Sequence, residues 1–401
     1  MLLSLNYQQL QSQVRSLGKR AVVREKELNE KRSQARDYLQ DHAQHYDRLR
    51  SKVERAADID PTLRCARPVD EALTARIPAP PLPQRLRILA ADGSQINPDP
   101  HAAVQYYLIN IGGIWLDLHR DHPPQTMIET RLRFEDDVYT PFGMVSRGQV
   151  ALQRDVAERA YLSTWAEEMG GDVDYPLITL TDGPLELWES HEQRGSRSTA
   201  FRKQIKRYQE SLRDLRRLGS IPAGYVDRPR ADYVVRLLEI ATLPEDEMGD
   251  LVNHRPLLGV SDLDLYGKIL EPGERSAVFG IQAYSSTDYS GDFALHFFYL
   301  NVGSPGSPWL ARVEVPAWVV EEKAKLDDLH AVLLQQCRVL GDIGYPYLLH
   351  RAHEIALVRR EEQALLTEMI LRERRKRGLQ VSQVSHKKYY KEQPGRKRYR
   401  R

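Results

Sequence analysis

Two Asp-Gly steps carry the plainest chemical potential in this chain, each at the end of an apolar run. They are Leu86-Arg87-Ile88-Leu89-Ala90-Ala91-Asp92-Gly93-Ser94 and Leu177-Ile178-Thr179-Leu180-Thr181-Asp182-Gly183-Pro184. Each reads as a buried strand that stops at a carboxylate, with glycine turning the backbone immediately after it. Two carboxylates held by one sheet can share a divalent hard cation, which prefers oxygen ligands. Metal-assisted phosphodiester hydrolysis uses such a pair. Asp-Gly is also a common turn dipeptide, so the pair needs partners. The helix expected between the two strands offers Asp155, Glu158, Glu167 and Glu168. Glu158 lies among Ala157, Tyr161 and Leu162, next to the apolar side, and is the expected inward carboxylate. Asp155 and Glu167 stay open as alternatives, as does a surface pair of Glu158 with Arg154 at i−4.

The segment Gly344-Tyr345-Pro346-Tyr347-Leu348-Leu349-His350-Arg351-Ala352-His353-Glu354 is the other concentration of useful groups. Pro346 suits a helix start. His350 and His353 stand at i and i+3, so they share a helix face and suit a metal or a proton-transfer role. A packed or exposed helix histidine is the plain alternative. No His follows Glu354 at the spacing of a zinc-protease helix. The phosphate loop, nucleophile elbow and dinucleotide turn are all missing from the sequence. Metal-assisted hydrolysis is the enzyme class left standing.

The elements that must position these groups are legible as well. Residues 1–58 read as a long polar helix. Its narrow stripe includes Leu10, Val14, Leu17, Ala21, Leu28, Ala35, Leu39, Ala43, Tyr46, Leu49, Val53 and Ala56, as in a coiled coil or a helical hairpin. Ile77-Pro78-Ala79-Pro80-Pro81-Leu82-Pro83 reads as a stiff linker. Strands are expected at 86–91, 103–111 and 113–119, with Gly112-Gly113 as a hairpin turn. A helix over 147–169 and a strand over 177–181 follow. A basic helix over 198–218 carries Arg202, Lys203, Lys206 and Arg207. Further strands are expected at 222–227, 277–283, 293–302 and 311–315, with helices over 230–241, 317–340 and 346–377. The order implies an α/β or α+β core with a mixed sheet. The expected division is a helical extension over 1–76, a linker over 77–85, a catalytic domain over 86–368 and a basic tail over 369–401.

The 401 residues carry a net charge of +2, unevenly spread. From Leu371 to Arg401 there are 13 Lys/Arg and two Glu, so the tail holds +11 and the rest −9. A terminal block of like charge is a solubilising tail or touches a polyanion such as nucleic acid. Cys65 and Cys337 form neither a metal spacing nor a disulfide framework, which suits a reducing cytoplasm. No apolar run is long enough to span a membrane, and Met1-Leu2-Leu3-Ser4-Leu5 turns polar too soon for a signal peptide.

Together these motifs resemble the NurA family of prokaryotic DNA-end-processing nucleases. The resemblance rests on Asp92-Gly93-Ser94, Arg154-x-x-x-Glu158, Thr181-Asp182-Gly183-Pro184-Leu185 and Gly344-Tyr345-Pro346-x-x-Leu349-x-x-x-His353. Two looser stretches join them, Ala223-Gly224-Tyr225-Val226-Asp227-Arg228-Pro229 and Leu270-x-x-Gly273-x-Arg275-Ser276. The resemblance implies an RNase H-like fold related to the PIWI module. It implies a manganese-dependent nuclease with 5′-to-3′ exonuclease and single-strand endonuclease activity. It further implies a homodimer that works with a hexameric HerA-type translocase in resecting DNA ends. By position, Asp92, Glu158 and Asp182 would be the metal carboxylates, with Asp92 bridging two Mn²⁺ or Mg²⁺ ions. His353 would be a further ligand or an acid/base, and Tyr345 would sit beside it, with Tyr347 competing for that place. Arg202, Lys206 and Arg275 are candidate phosphate contacts. Two other readings stay open: a non-catalytic DNA-binding or helicase-adaptor protein, and another RNase H-like enzyme acting on RNA.

Overall fold

A computed structural model describes residues 5–119, 122–140, 143–170, 175–188 and 199–379. Most of the expected basic tail, from residue 380 on, lies outside the described residues. In chain order the elements are α1 (Tyr7–Asp41), α2 (Tyr46–Ile59), β1 (Cys65–Pro68), β2 (Arg87–Ile96), β3 (Tyr106–Asp117), β4 (Gln125–Phe134), β5 (Tyr139–Thr140), β6 (Gly143–Met144), α3 (Arg147–Gly170), β7 (Leu177–Asp182) and α4 (Thr199–Arg217). They continue with β8 (Ile221–Asp227), α5 (Tyr233–Thr242), α6 (Asp262–Tyr266), β9 (Phe279–Gln282), β10 (Leu295–Asn301), β11 (Leu310–Pro316), α7 (Ala317–Val320), α8 (Lys323–Val339), α9 (Tyr347–Ala356) and α10 (Arg360–Lys376). The chain divides into two compact units. One holds the residues up to Pro81 with Val226–Leu334 and Gly341–Gly344; the other holds Leu82–Tyr225, Gln335–Leu340 and the chain from Tyr345 on.

The second unit carries every carboxylate and histidine singled out above. Its strands lie in the order β8-β7-β2-β3-β4. β2, β3 and β4 form an antiparallel meander, while β7 runs parallel to β2 and β8 parallel to β7. Side chains alternate across the sheet, and both faces of β3 are covered. Tyr107, Ile109, Ile111 and Trp115 join the core with Val150, Ala157 and Trp165 of α3. The opposite face of β2 and β3 meets α9. This is the mixed-sheet α/β core, flanked by helices, expected from the sequence. α3 starts on a reciprocal cap: Gln149 N–H donates to Ser146 Oγ at 3.2 Å, and Ser146 N–H donates to Gln149 Oε1 at 2.8 Å. Each side chain satisfies a donor the helix would leave open.

Two glycine expectations need correction. Gly112-Gly113 is not a hairpin turn, because β3 runs through it without a break. A Cβ on Gly112 would lie 2.4 Å from the Ala356 backbone nitrogen, and one on Gly113 would lie 2.4 Å from the Trp165 ring. These glycines therefore admit α9 on one face and Trp165 on the other. Gly93 does not turn the chain either, since β2 continues to Ile96 with Gly93 opposite Ile111. A Cβ there would meet Arg154 Cγ at 2.7 Å. Gly183 does turn: its φ is +84°, which glycine adopts at little cost, and β7 stops at Asp182.

In the first unit, strands β1-β9-β10-β11 form an antiparallel set. The expected single N-terminal helix is two, α1 and α2. Ala35 and Leu39 of α1 and Leu49, Val53 and Ala56 of α2 are buried in a core with Tyr266, Phe279, Phe297 and Tyr299. Val14 and Leu17, earlier on the expected stripe, are 62% and 67% exposed. The Asp262 carboxylate accepts the Val234 and Val235 amides at 3.0 and 2.9 Å and the Tyr299 hydroxyl at 2.6 Å. Among the described residues no helix is long and apolar enough to cross a membrane.

Candidate active site

Asp92 stands where the parallel ladder between β2 and β7 ends. The last registered pair is Ala91 with Thr181, so Asp92 and Asp182 occupy the next position on each strand. Registered neighbours on parallel strands project to one face, which puts both carboxylates on the face covered by α9. Asp92 is nearly buried. Its Oδ1 accepts the Gly93 amide at 2.7 Å, and its Oδ2 lies 2.6 Å from His353 Nδ1. Asp182, the exposed last residue of β7, lies opposite Tyr225 of β8.

His353 reaches Asp92 because α9 is seated on the sheet. Pro346 caps the helix start, and Gln336 Oε1 accepts the Leu348 amide at 3.2 Å. At the other end the Ala356 carbonyl accepts Asn110 Nδ2 at 2.8 Å and the Ser94 hydroxyl. A helix leaves its last carbonyls without internal partners, and here β2 and β3 supply donors. Leu348, Leu349 and Ala352 are buried beneath the helix. His350, expected to share its task with His353, instead stands 3.7 Å from Glu354 on the exposed side. Tyr345 meets the ring of buried Tyr225 edge-on, with centroids 5.7 Å apart. Tyr225 in turn faces Asp182 across the ladder. Tyr347 is the first residue of α9 and half-buried.

The structure separates the three helix carboxylates. Glu158 is 4% exposed, whereas the carboxylates of Asp155 and Glu167 are 33% and 58% exposed and pair with Arg154 and Arg217. Burial pushes the Glu158 carboxyl well above the usual range; Arg159 opposes that shift, and the nearby charges of Asp92 and Asp155 add to it. Glu158 Oε1 has no hydrogen-bond partner among the described residues. A buried acid with an unmet acceptor, in the field of a second acid, calls for a cation.

Two arginines supply part of that charge. Arg154 donates to Asp155 Oδ1 from Nε at 3.1 Å and from NH2 at 2.6 Å. Its burial would lower the guanidinium, but Asp155, Glu158 and Asp92 together raise it. Arg159 donates to the Asp155 and Pro184 carbonyls at 2.8 and 2.6 Å, tying α3 to the turn after Asp182. The sequence reading gives Arg154 a surface pair with Glu158 and a place in the motif Arg154-x-x-x-Glu158, and gives Arg159 no role. The signal is present in the alternation Arg154-Asp155-x-x-Glu158-Arg159.

Asp92, Glu158 and His353 have the chemistry to hold a hard divalent cation: two acids and an imidazole, one acid with an orphaned oxygen. No three His, Cys, Asp or Glu side chains among the described residues form a ready metal-holding group. The phosphate candidates divide. Arg202 and Lys206 are exposed on α4. Arg275 is 1% exposed, and its NH1 and NH2 each donate to Glu71 at 2.9 Å. That correction follows from burial: the cation is engaged inside the first unit and does not face solvent.

The NurA domain model matches residues 86–358. The crystal structure of the NurA nuclease from Sulfolobus solfataricus is similar at 12% identity, covering 80% of this chain and 90% of that one, with a TM-score of 0.45. NurA bound to dAMP and manganese gives 12% identity over 74% of this chain and 90% of that one, with a TM-score of 0.34. The catalytic domain of human endonuclease V gives 13% identity over 83% and 99%, with a TM-score of 0.32. No curated protein matches this chain.

Proposed function

This chain belongs to the NurA domain family, and from that premise we propose that it is a metal-dependent deoxyribonuclease. The carrying observation is the 2.6 Å contact between Asp92 and His353 beside the buried, under-satisfied Glu158. Mn²⁺ or Mg²⁺, bound by Asp92, Glu158, Asp182 and His353, would lower the pKa of attacking water and polarise the phosphate. The chain's own residues do the rest. Asp92 and Glu158 bring negative charge to one place, and Arg154 and Arg159 limit the repulsion between them. His353, exposed beyond Asp92, is placed to hold a proton for the leaving oxygen. Tyr345 buttresses Tyr225 next to the Asp182 strand end.

The finer reading is 5′-to-3′ exonuclease and single-strand endonuclease action at DNA ends, by a homodimer in the cytoplasm that works with a HerA-type ATPase. The basic face of α4, including Arg202 and Lys206, adds sequence-independent affinity for the backbone. The test is cleavage of end-labelled single- and double-stranded DNA, alongside RNA, in Mn²⁺, Mg²⁺ or chelator. Metal-dependent DNA products that vanish in Asp92→Ala support the reading. DNA binding without product, or unchanged cleavage by Asp92→Ala, would overturn it.

A further inference from the structure

Arg159 touches three parts of the second unit at once. It follows Glu158 on α3 and is buried. Its NH1 donates to the Asp155 carbonyl within α3 at 2.8 Å, and its NH2 donates to the Pro184 carbonyl at 2.6 Å. Its Cζ lies over the ring of Tyr208, 5.3 Å from the centroid, and Tyr208 is buried on the inner side of α4. Pro184 stands two residues past Asp182. The same turn is held from β8, where the Tyr225 carbonyl accepts the Gly183 amide at 2.8 Å. A Cβ on Gly224 would lie 2.6 Å from the Gly183 carbonyl oxygen, so the turn is seated directly on the β8 backbone.

We propose that Arg159 is a positioning residue of the metal site, whose planar fork sets Asp182 at the end of β7 against Glu158 on α3. The two carboxylates come from different elements, and Asp182 is the last residue of its strand. The ladder therefore holds Asp182 from the Thr181 side, and the turn must hold it from the other. Functional groups at such a site have to be kept within about 0.5 Å of their working geometry. The positive charge of Arg159 does not achieve this by itself. A guanidinium presents its N–H groups in fixed directions and lies on aromatic faces, whereas a lysine ammonium is a point charge on a flexible stem. Arg159 uses both properties, with one nitrogen on each carbonyl and its carbon over Tyr208. Tyr208 belongs to the helix that exposes Arg202 and Lys206 on its other side, so the same contact ties the proposed DNA-backbone helix to the metal carboxylates.

This role rests on the reading that Asp92, Glu158, Asp182 and His353 hold the metal. The test uses the full chain. Mn²⁺ binding is measured by calorimetric titration and by the metal-induced rise in the thermal transition, and cleavage of end-labelled DNA is followed over a Mn²⁺ series. Arg159→Lys keeps the charge and loses the fork. Removing a group that orients metal ligands costs about 10–100-fold in affinity, so this variant should bind Mn²⁺ at least roughly tenfold more weakly. It should need correspondingly more Mn²⁺ for half-maximal cleavage, with KM for DNA at saturating Mn²⁺ unchanged. Tyr208→Leu removes the ring and leaves Arg159 in place; it should weaken Mn²⁺ binding in the same direction, and Tyr208→Phe should not. Parental Mn²⁺ affinity in Arg159→Lys overturns the proposal, even if its thermal transition falls, because charge and packing would then be all that Arg159 supplies. If Arg159→Lys does not fold, parental affinity in Tyr208→Leu overturns it instead. A parent chain with no Mn²⁺ response in binding or cleavage overturns the metal reading as well.

Discussion

His353 Nδ1 lies 2.6 Å from Asp92 Oδ2, so the middle of β2 and the second turn of α9 are joined by one short contact between residues 261 positions apart. If this contact is the working centre, Asp92→Ala removes both the carboxylate and the partner of His353. Cleavage of DNA in Mn²⁺ should fall below detection with the thermal transition retained. His353→Ala should lose on the order of 10²–10³ in kcat, the scale of one proton-transfer group. Equal, small losses for the two variants would remove this pair from the chemistry.

Gly112 permits that contact by letting α9 sit directly on β3. Gly112→Ala puts a methyl 2.4 Å from the Ala356 nitrogen, and backbone cannot swing aside. Overpacking of this kind costs about 1–3 kcal/mol, and here it displaces the helix that carries His353. Both melting temperature and activity should drop. Gly113→Ala strikes the movable Trp165 ring instead, so its loss of activity should be smaller than its loss of stability.

Glu158 is an acid whose burial, with Asp92 and Asp155 nearby, raises its pKa despite Arg159. In metal-free protein the folded state therefore keeps a proton that the unfolded state has lost. Stability contributed at this site falls as pH rises from the unfolded value toward the folded one. Glu158→Gln removes that penalty. Without metal it should unfold at a higher temperature, with a flatter pH dependence. It should also gain less from added Mn²⁺ than the parent chain, and lose nuclease activity. A drop in metal-free stability would contradict this role for Glu158.

The first unit holds two buried groups with opposed titrations. Burial lowers His330 to about 4, although its Nε2–H donates to the Gly273 carbonyl 2.8 Å away. Its folded state binds fewer protons, so stability is lost as pH falls from about 6.5 toward 4. Burial raises Asp262 to about 6, and its contribution changes the other way, rising as pH falls from about 6 to 3.8. Each is worth about 3 kcal/mol by its shift, so the two largely offset. His330→Gln should make the protein gain stability between pH 6.5 and 4 relative to the parent in denaturant melts. Asp262→Asn should increase sensitivity to acid.

Arg202 and Lys206 project from the exposed side of α4. Replacing either by Ala should weaken binding evenly across DNA sequences and reduce the salt slope by roughly one for each phosphate left unneutralised. Arg275→Ala should leave the salt slope alone and destabilise the fold, because it strips Glu71 of its forked partner.

Local signals made much of this molecule readable. Helical periodicity marked α3, a run of basic residues on an amphipathic pattern marked α4, and apolar runs ending at a carboxylate marked β2 and β7. What misled was glycine. Asp-Gly and Gly-Gly look alike whether the missing Cβ serves a turn or a close approach, and local sequence carries no sign of a helix packed from far along the chain. Gly183 turns the chain, whereas Gly93 and Gly112 admit Arg154 and α9. Likewise the helix carboxylates Asp155, Glu158 and Glu167 differ little in local pattern, and it took the packing of α3 on the sheet to bury one and leave two in ion pairs. Residue types determined which chemistry this chain can support and the order of most of its elements. Long-range packing decided which acid faces which histidine, because that depends on which backbones approach closely and which charges lose their water.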